Sequence, residues 1–100
     1  MTMYPYQIKS LKAYQQAYQK SVDHPEEFWA EIAENFVWKK KWNKVLEWNF
    51  TEPSVKWFQG GTLNITENCL DRHLANRGQE TALIWESNNP QETSRTFTYI

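Results

Sequence analysis

The chain has 100 residues, a formal net charge of −1, one cysteine and six tryptophans, with an aromatic content of 16%. A chain of this length corresponds to about one domain. Its small net charge provides no overall electrostatic attraction for nucleic acid or acidic lipid. The single cysteine excludes an internal disulfide. No apolar run approaches the roughly 20 residues of a membrane helix. The amino terminus lacks the apolar core of a signal peptide, so we expect a soluble cytoplasmic protein.

Two helices are predicted near the amino terminus. After a short lead at 1–7, apolar or aromatic residues recur every three or four positions across 8–22, with Gln and Lys between them. Asp23 and Glu26 have the spacing of a capping box, and Pro25 is tolerated in a first helical turn. A short connection predicts that the two helices are antiparallel. The apolar stripe of the second helix comprises Phe28, Trp29, Ile32, Ala33 and Phe36.

The pattern breaks between residues 37 and 55. Tryptophans occur at 38, 42 and 48 without a sustained helical or strand period, and Pro53 follows. We therefore predict an irregular, partly extended, aromatic-rich connector.

The next stretch, WFQGGTLNITENCLDRH, joins an aromatic pair to a tight turn and a helix. Trp57 and Phe58 end an extended apolar run. Gly60 and Gly61 permit a turn with positive φ, which residues with a Cβ resist.

The turn is followed by a predicted helix over 64–77. Asn64 is placed to cap it, and Glu67 is placed to complete a capping box. Gly78 is placed to end the helix at C′. The face predicted to point inward carries Ile65, Cys69, His73 and Leu74.

The last part of the chain predicts a β-hairpin. Residues 82–85 form a continuous apolar run that suggests a strand buried on both faces, and a second strand begins at Arg95 after a polar loop. A two-stranded hairpin is marginal by itself. We therefore expect further chain after Ile100, and we expect the isolated fragment to self-associate through this hairpin.

Cys69 and His73 are the most reactive residue types in the predicted helix. One turn apart, they suggest a thiolate–imidazole nucleophile, but their place on the inward face favours a buried structural cysteine and a hydrogen-bonded histidine. With His24 distant, one cysteine and two histidines match no metal-ligand spacing.

Three further features have two interpretations each. Asp71 with Arg72 and Arg77 suggests a phosphate site, but a structural ion pair is favoured. The segment Trp-Lys-Lys-Lys-Trp at 38–42 interleaves cations and rings as single-strand or membrane-surface binders do, but inward tryptophans with solvated lysines are favoured. The Gly60-Gly61 pair lacks the further residues of a phosphate loop, so a turn is favoured.

Taken together, these motifs resemble a known family. WFQGGTLN followed by NCLDRH, with Tyr14 and Tyr18 upstream and TALIWE and RTFTYI downstream, is similar to the N-terminal segment of AMP-forming acetyl-coenzyme A synthetases. These enzymes belong to the adenylate-forming superfamily. The resemblance extends from about Tyr4 to Ile100.

The resemblance implies both a fold and an activity. Residues 1–100 would be a truncated N-terminal segment, α+β, with N-terminal helices, a Trp-rich connector, one further helix and a β-hairpin belonging to a larger α/β adenylate-forming domain. The full enzyme would activate acetate with ATP and Mg²⁺ to acetyl-adenylate and transfer the acetyl group to coenzyme A.

The family motifs that carry catalysis lie downstream, so the resemblance places no catalytic, cofactor-binding or metal-binding residue in this segment. The segment would be inactive alone and would act as scaffold for the large AMP-binding domain, with one edge near coenzyme A entry. Its expected partner is the remainder of the same chain, and we expect it to bind neither nucleic acid nor a membrane. Two alternatives stay open: a propionyl-CoA synthetase or other short-chain acyl-CoA ligase segment, and a stand-alone interaction domain that presents tryptophans.

Overall fold

The computed structural model describes residues 7–100, so nearly all of the predicted amino-terminal lead lies outside the described part. The chain divides into two compact units. The first contains the described residues up to Phe36 together with Lys40–Thr62, and the second contains Val37–Lys39 together with Leu63–Ile100. Each unit combines helices with antiparallel strands, which confirms the α+β class.

The first unit begins with the two predicted helices. α1 spans Leu11–Asp23 and starts after Ser10, whose hydroxyl accepts a hydrogen bond from the Ala13 N–H at 3.1 Å. α2 spans Pro25–Ala33 and carries its proline in the first turn. A proline is favourable there because the first helical N–H groups have no intrahelical partner.

The predicted capping box at Asp23 is wrong. Asp23 is the last residue of α1, and its carboxylate accepts a hydrogen bond from Gln19 Nε2 at 2.7 Å. His24 occupies the N-cap of α2 without a side-chain capping bond. α1 continues one residue beyond the predicted range 8–22. The Asp23 carboxylate therefore bonds within the last turn of α1 and does not cap α2.

A hairpin replaces much of the irregular connector predicted for 37–55. After a short strand β1 (Trp38–Lys40), β2 (Lys44–Asn49) pairs antiparallel with β3 (Ser54–Gln59). The Asn49 side chain closes the turn by accepting hydrogen bonds from the N–H groups of Thr51 at 2.9 Å and Glu52 at 3.3 Å. This local bond is the type by which asparagine favours turns.

The core of the first unit is small. Ala33 of α2 and the adjacent Val45 and Leu46 of β2 are the buried apolar residues among positions 7–100. Two neighbouring buried residues break the alternation expected of a half-buried strand, which explains why the sequence pattern looked irregular. Many large apolar side chains stay exposed, among them Leu11, Tyr14, Tyr18, Val22, Trp48, Phe50 and Val55.

In the second unit, the predicted helix over 64–77 is interrupted. After strand β4 (Thr62–Leu63), the chain forms α3 (Ile65–Cys69), a 3₁₀ turn (Asp71–His73) and α4 (Leu74–Arg77). Leu70, between the first two, has φ −121° and ψ −64° and leaves the helical region. The single-helix prediction is therefore wrong.

Both ends of this helical segment lie where the sequence places them. The Asn64 side chain accepts hydrogen bonds from the N–H groups of Thr66 at 2.9 Å and Glu67 at 3.4 Å, which confirms the N-cap. The segment ends at Gly78, but with φ −53° and not in the left-handed C′ conformation. Glycine fits there because a Cβ would lie 2.4 Å from Ile100 Cδ1.

The predicted carboxyl-terminal hairpin is confirmed. β5 (Thr81–Trp85) pairs antiparallel with β6 (Arg95–Thr98), with a register shift at its start. Leu83 lies opposite Phe97, and these side chains are 57% and 49% exposed. Ile84, on the other face, is 67% exposed, so the burial predicted for both faces is not provided by residues 7–100.

Two features complete the description. β1 and β4 form a third short two-stranded sheet. Among the residues that the structure describes, no helix has both the length and the apolar character needed to cross a membrane.

Candidate functional site: an aromatic groove and a buried asparagine

Aromatic rings from α2 and β3 line an open apolar groove in the first unit. Trp29 lies edge-to-face with Trp57 at 6.1 Å between ring centroids, and Trp57 lies 6.0 Å from the ring of Phe58. The groove encloses about 210 Å³ and is lined by these three residues. We call it the aromatic groove. Because Trp29 and Trp57 remain 40% and 45% exposed, solvent reaches both rings.

Phe58 has an uncommon backbone conformation. Its φ is +45°, in the left-handed region, which costs an L-residue with a Cβ roughly 1–2 kcal/mol. Its ring packs edge-to-face on Trp42 at 5.4 Å as well as on Trp57. Such strain persists only where the surrounding structure fixes it, and the two tryptophans provide that support.

The Trp-Lys-Lys-Lys-Trp segment has the favoured structural arrangement. Trp38 and Trp42 are half-buried, whereas the three lysines between them are exposed. Lys41 forms an ion pair with Glu34, and its ammonium group lies 5.4 Å from the Trp42 ring centroid. This lysine therefore has local partners in the first unit.

A carboxylate on the β2–β3 hairpin, that of Glu47, has a pKa below its ordinary value. The amide of Gln59 and the ammonium groups of Lys44 and Lys56, 3.6 Å and 3.8 Å away, lower the pKa of Glu47. The Gln59 amide favours the ionised carboxylate as a hydrogen-bond donor, although Gln59 Nε2 lies outside the geometry of a full hydrogen bond. The ion pairs are exposed, and such pairs contribute little stability.

Asn68 of α3 is the buried polar residue of the second unit, with 4% exposure. Its Oδ1 accepts the Val37 N–H at 2.6 Å, and its Nδ2 donates to the Val37 carbonyl at 3.0 Å. Nδ2 also donates to the Asn64 carbonyl at 3.0 Å. One side chain thereby joins α3 to a segment 31 residues earlier. Sequence reasoning missed this role, because Asn68 lies beside the more conspicuous cysteine.

The predicted burial of Cys69 is wrong. Cys69 ends α3 and is exposed, and Ile65 of the same predicted inward face is 60% exposed. Asn68 takes the inward position, one residue away. The non-helical residue at 70 interrupts the continuous helix on which the thiolate–imidazole pair of Cys69 and His73 was considered. His73 instead packs on Tyr99 at 5.2 Å.

The arginines nearby contact other groups than the sequence suggested. Arg72 Nη1 lies 3.5 Å from Asn68 Oδ1, at the limit of a hydrogen bond. Arg77 pairs with Glu80 at 2.8 Å, and its guanidinium lies 5.6 Å from the Tyr99 ring centroid. A structural ion pair is thus present in this part of the chain, between Arg77 and Glu80.

The Gly60-Gly61 pair forms the predicted turn. Gly60 has φ +78°, and the Gly61 N–H donates to the Phe58 carbonyl at 3.0 Å. A Cβ on Gly60 would lie 2.5 Å from Asn43 Nδ2, so a side chain already fills the space beside this glycine. Across positions 7–100, no cluster of three or more His, Cys, Asp or Glu side chains has the geometry to hold a metal ion.

The described residues therefore form an α+β segment with an open aromatic groove in one unit and a buried asparagine anchor in the other. Residues 14–69 match the family described as the acetyl-coenzyme A synthetase N-terminus. Because this match covers more than half of the chain, the chain belongs to that family.

Several curated relatives agree over most of the chain. The acetyl-coenzyme A synthetase of Bdellovibrio bacteriovorus is 51% identical over 87 residues, covering 86% of this chain and 14% of the relative. That of Leptospira biflexa is 50% identical over 91 residues, covering 90% and 14%, respectively. That of Magnetococcus marinus is 46% identical over 87 residues, covering 86% and 13%. The match thus spans about one-seventh of the length of these relatives.

Proposed function

We propose that this chain is the N-terminal structural segment of an AMP-forming acetate–CoA ligase. The full-length protein activates acetate with ATP and Mg²⁺ to acetyl-adenylate, releases pyrophosphate, and transfers the acetyl group to coenzyme A. The observation that carries this proposal is the identity of 50% and 51% to two acetyl-coenzyme A synthetases across 86–90% of the chain. The protein acts in the cytoplasm.

Residues 7–100 do not fit the cofactors of this reaction. The space beside Gly60 is filled by Asn43 and is not a cradle for phosphate. The described residues form no carboxylate-rich cluster for Mg²⁺. The proposal is that the remainder of the protein holds ATP, Mg²⁺ and coenzyme A, and that this segment supplies no catalytic residue.

The segment acts as scaffold for the large AMP-binding domain. Its exposed hairpin supports this role, since Leu83 and Phe97 share one face and Ile84 lies on the other. Strands that are apolar on both faces are typical of sheets covered on both sides. The β5–β6 hairpin accordingly belongs to a larger α/β sheet built with residues that follow position 100.

Exposed tryptophans do not favour a stand-alone interaction domain over this scaffold. Trp29, Trp48, Trp57 and Trp85 are between 37% and 55% exposed. In a binding module, exposed rings would contact a partner. In a scaffold segment taken without the rest of its protein, the rings that normally pack on that protein are exposed as well. Ring exposure is therefore expected in both cases.

The test is acetate-dependent exchange of labelled pyrophosphate into ATP. The product of the full open reading frame should catalyse the exchange, and the 100-residue polypeptide should not, with propionate tested in parallel. Exchange by the short polypeptide alone would contradict the scaffold role. Exchange with propionate in preference to acetate would change the acyl substrate while retaining the reaction class.

A further inference from the structure

We propose that the aromatic groove is a socket for an apolar side chain contributed by the part of the same protein that follows residue 100. This inference rests on the proposed function, since it takes the chain to be a segment of a longer ligase. It adds the location of a contact that holds the segment in place.

The groove has the shape and chemistry of an anchor site. Its volume of about 210 Å³ is lined by Trp29, Trp57 and Phe58. It is smaller than the roughly 300–1,000 Å³ of ordinary small-molecule pockets. It therefore fits one large apolar side chain and not a cofactor. Aromatic recesses that exclude water are typical of the energetic centre of protein interfaces.

Two carboxylates in and just after the last turn of α2 are already neutralised by ion pairs. Glu31 is paired with Lys20 at 2.5 Å, and Glu34 is paired with Lys41. These carboxylates are matched within the first unit. The apolar rings of the groove thus carry the recognition.

The rest of the protein is the occupant that the comparisons favour. The matched relatives extend far beyond this segment, which covers only 13–14% of their length. Covering a partly exposed pair of tryptophan rings is favourable, since burial removes apolar surface from water. Six-sevenths of the same polypeptide is at high effective concentration, so an intrachain contact forms before a contact with a second copy.

Photo-crosslinking in the full-length protein tests the proposal. Trp57 is replaced by p-benzoylphenylalanine, which retains an aromatic ring, and Trp48 receives the same replacement as a control. Trp48 is a matched site, because it is a 55% exposed tryptophan of the same hairpin that contacts Phe50 and lies outside the groove. Irradiation should join position 57 to a peptide beyond residue 100 of the same chain, and position 48 should not reach that peptide. Crosslinks between two chains, crosslinks only within residues 1–100, or equal products from both positions would overturn the proposal.

Hydroxyl-radical footprinting of the unmodified full-length protein provides a second measurement that needs no folding of a variant. Each oxidation rate is divided by the rate of the same residue in denaturant. On this scale Trp29 and Trp57 should lose most of their reactivity in the full-length protein, as expected for a water-excluding contact, whereas Trp48 should keep its own. Full solvent access to both rings, or protection that disappears on dilution, would overturn the proposal. Pyrophosphate exchange is measured on the same samples. If the full-length protein catalyses the exchange while both rings remain accessible to oxidation, the socket is rejected and the proposed activity stands. If it is inactive while both rings are protected, the proposed activity is rejected and the socket stands.

Discussion

Asn68 holds both backbone polar groups of Val37, accepting its N–H at 2.6 Å and donating to its carbonyl at 3.0 Å. The paired bonds reproduce the pattern that a neighbouring strand would offer. A residue in a short helix thereby fixes a distant stretch of backbone.

Replacing Asn68 by Ala should destabilise the fold. The change leaves partly buried backbone groups of Val37 without partners, at a cost of about 1–3 kcal/mol per unsatisfied group. Asn68→Asp should also destabilise, because the carboxylate still accepts the Val37 N–H but places a buried charge beside the Val37 and Asn64 carbonyl oxygens. Urea unfolding monitored by tryptophan fluorescence gives the difference, with the exposed Asn76→Ala as control. A midpoint unchanged by Asn68→Ala would contradict the anchoring role.

Gly60→Ala should destabilise the turn for two separable reasons. The alanine must adopt φ +78°, and its Cβ would lie 2.5 Å from Asn43 Nδ2. The left-handed backbone alone costs roughly 1–2 kcal/mol. Adding Asn43→Ala should recover only the steric part. Thermal unfolding of the single and double variants measures both parts. Gly61→Ala serves as control, because Gly60 is the glycine with positive φ among the described residues.

Stability should depend on Glu47 at acidic pH. Its pKa is lowered in the folded state by the Gln59 amide and by two lysines. A lowered folded pKa means a contribution that is present above the unfolded value near 4.5 and is lost as pH falls through the folded value. Glu47→Gln should therefore flatten the stability profile below about pH 4.5, and salt should weaken the effect. Glu52→Gln, an exposed change in the adjoining turn, should leave the profile intact; equal effects of both would refute the assignment.

Cys69 should react with a thiol reagent in native buffer. It is exposed at the end of α3, so no unfolding step has to precede labelling. Mass spectrometry of the 100-residue chain should show one modified thiol without denaturant, and Cys69→Ser should abolish it. A rate that rises several-fold on adding urea would instead restore the buried position predicted from the sequence.

The isolated chain should self-associate through the β5–β6 hairpin. Leu83 and Ile84 expose apolar surface on opposite faces, and open strand edges recruit further chains. Ile84→Lys should lower the mass measured by light scattering, whereas Val55→Lys in the β2–β3 hairpin should not. A monomer whose β5–β6 amides are as well protected from hydrogen exchange as those of α1 would show that the hairpin is stable without a cover.

The sequence predicted correctly those helix starts and turns that are determined by one or two residues. Pro25 marks the first turn of α2, Asn64 caps α3, and the glycine pair makes a turn. These features act within a few residues of chain, so the sequence contains the information needed to place them. The carboxyl-terminal hairpin was also predicted, because an apolar run at 82–85 and an alternating strand from Arg95 flank a polar loop.

Longer-range features were predicted less well. The β2–β3 hairpin was missed because Val45 and Leu46 are both buried, which hides the strand period. The inward face of α3 was displaced by one residue, because a hydrogen-bonded asparagine replaced the apolar side chain that periodicity expects. Its partner at Val37 is 31 residues away, and no local pattern marks a contact of that separation. The aromatic groove likewise depends on α2 meeting β3.

The contact between Gly78 and Ile100 gives the carboxyl-terminal hairpin adjacent ends. The Ile100 N–H donates to the Gly78 carbonyl at 3.1 Å, and the Tyr99 N–H donates to the Glu80 carbonyl at 3.3 Å. A segment whose two ends meet in this way behaves as a cassette, because its removal or exchange leaves the chain on either side with little gap to close. The exposed loop around Asn89, which lies between the two strands, is thus suited to carrying an inserted tag while the joined ends stay in place.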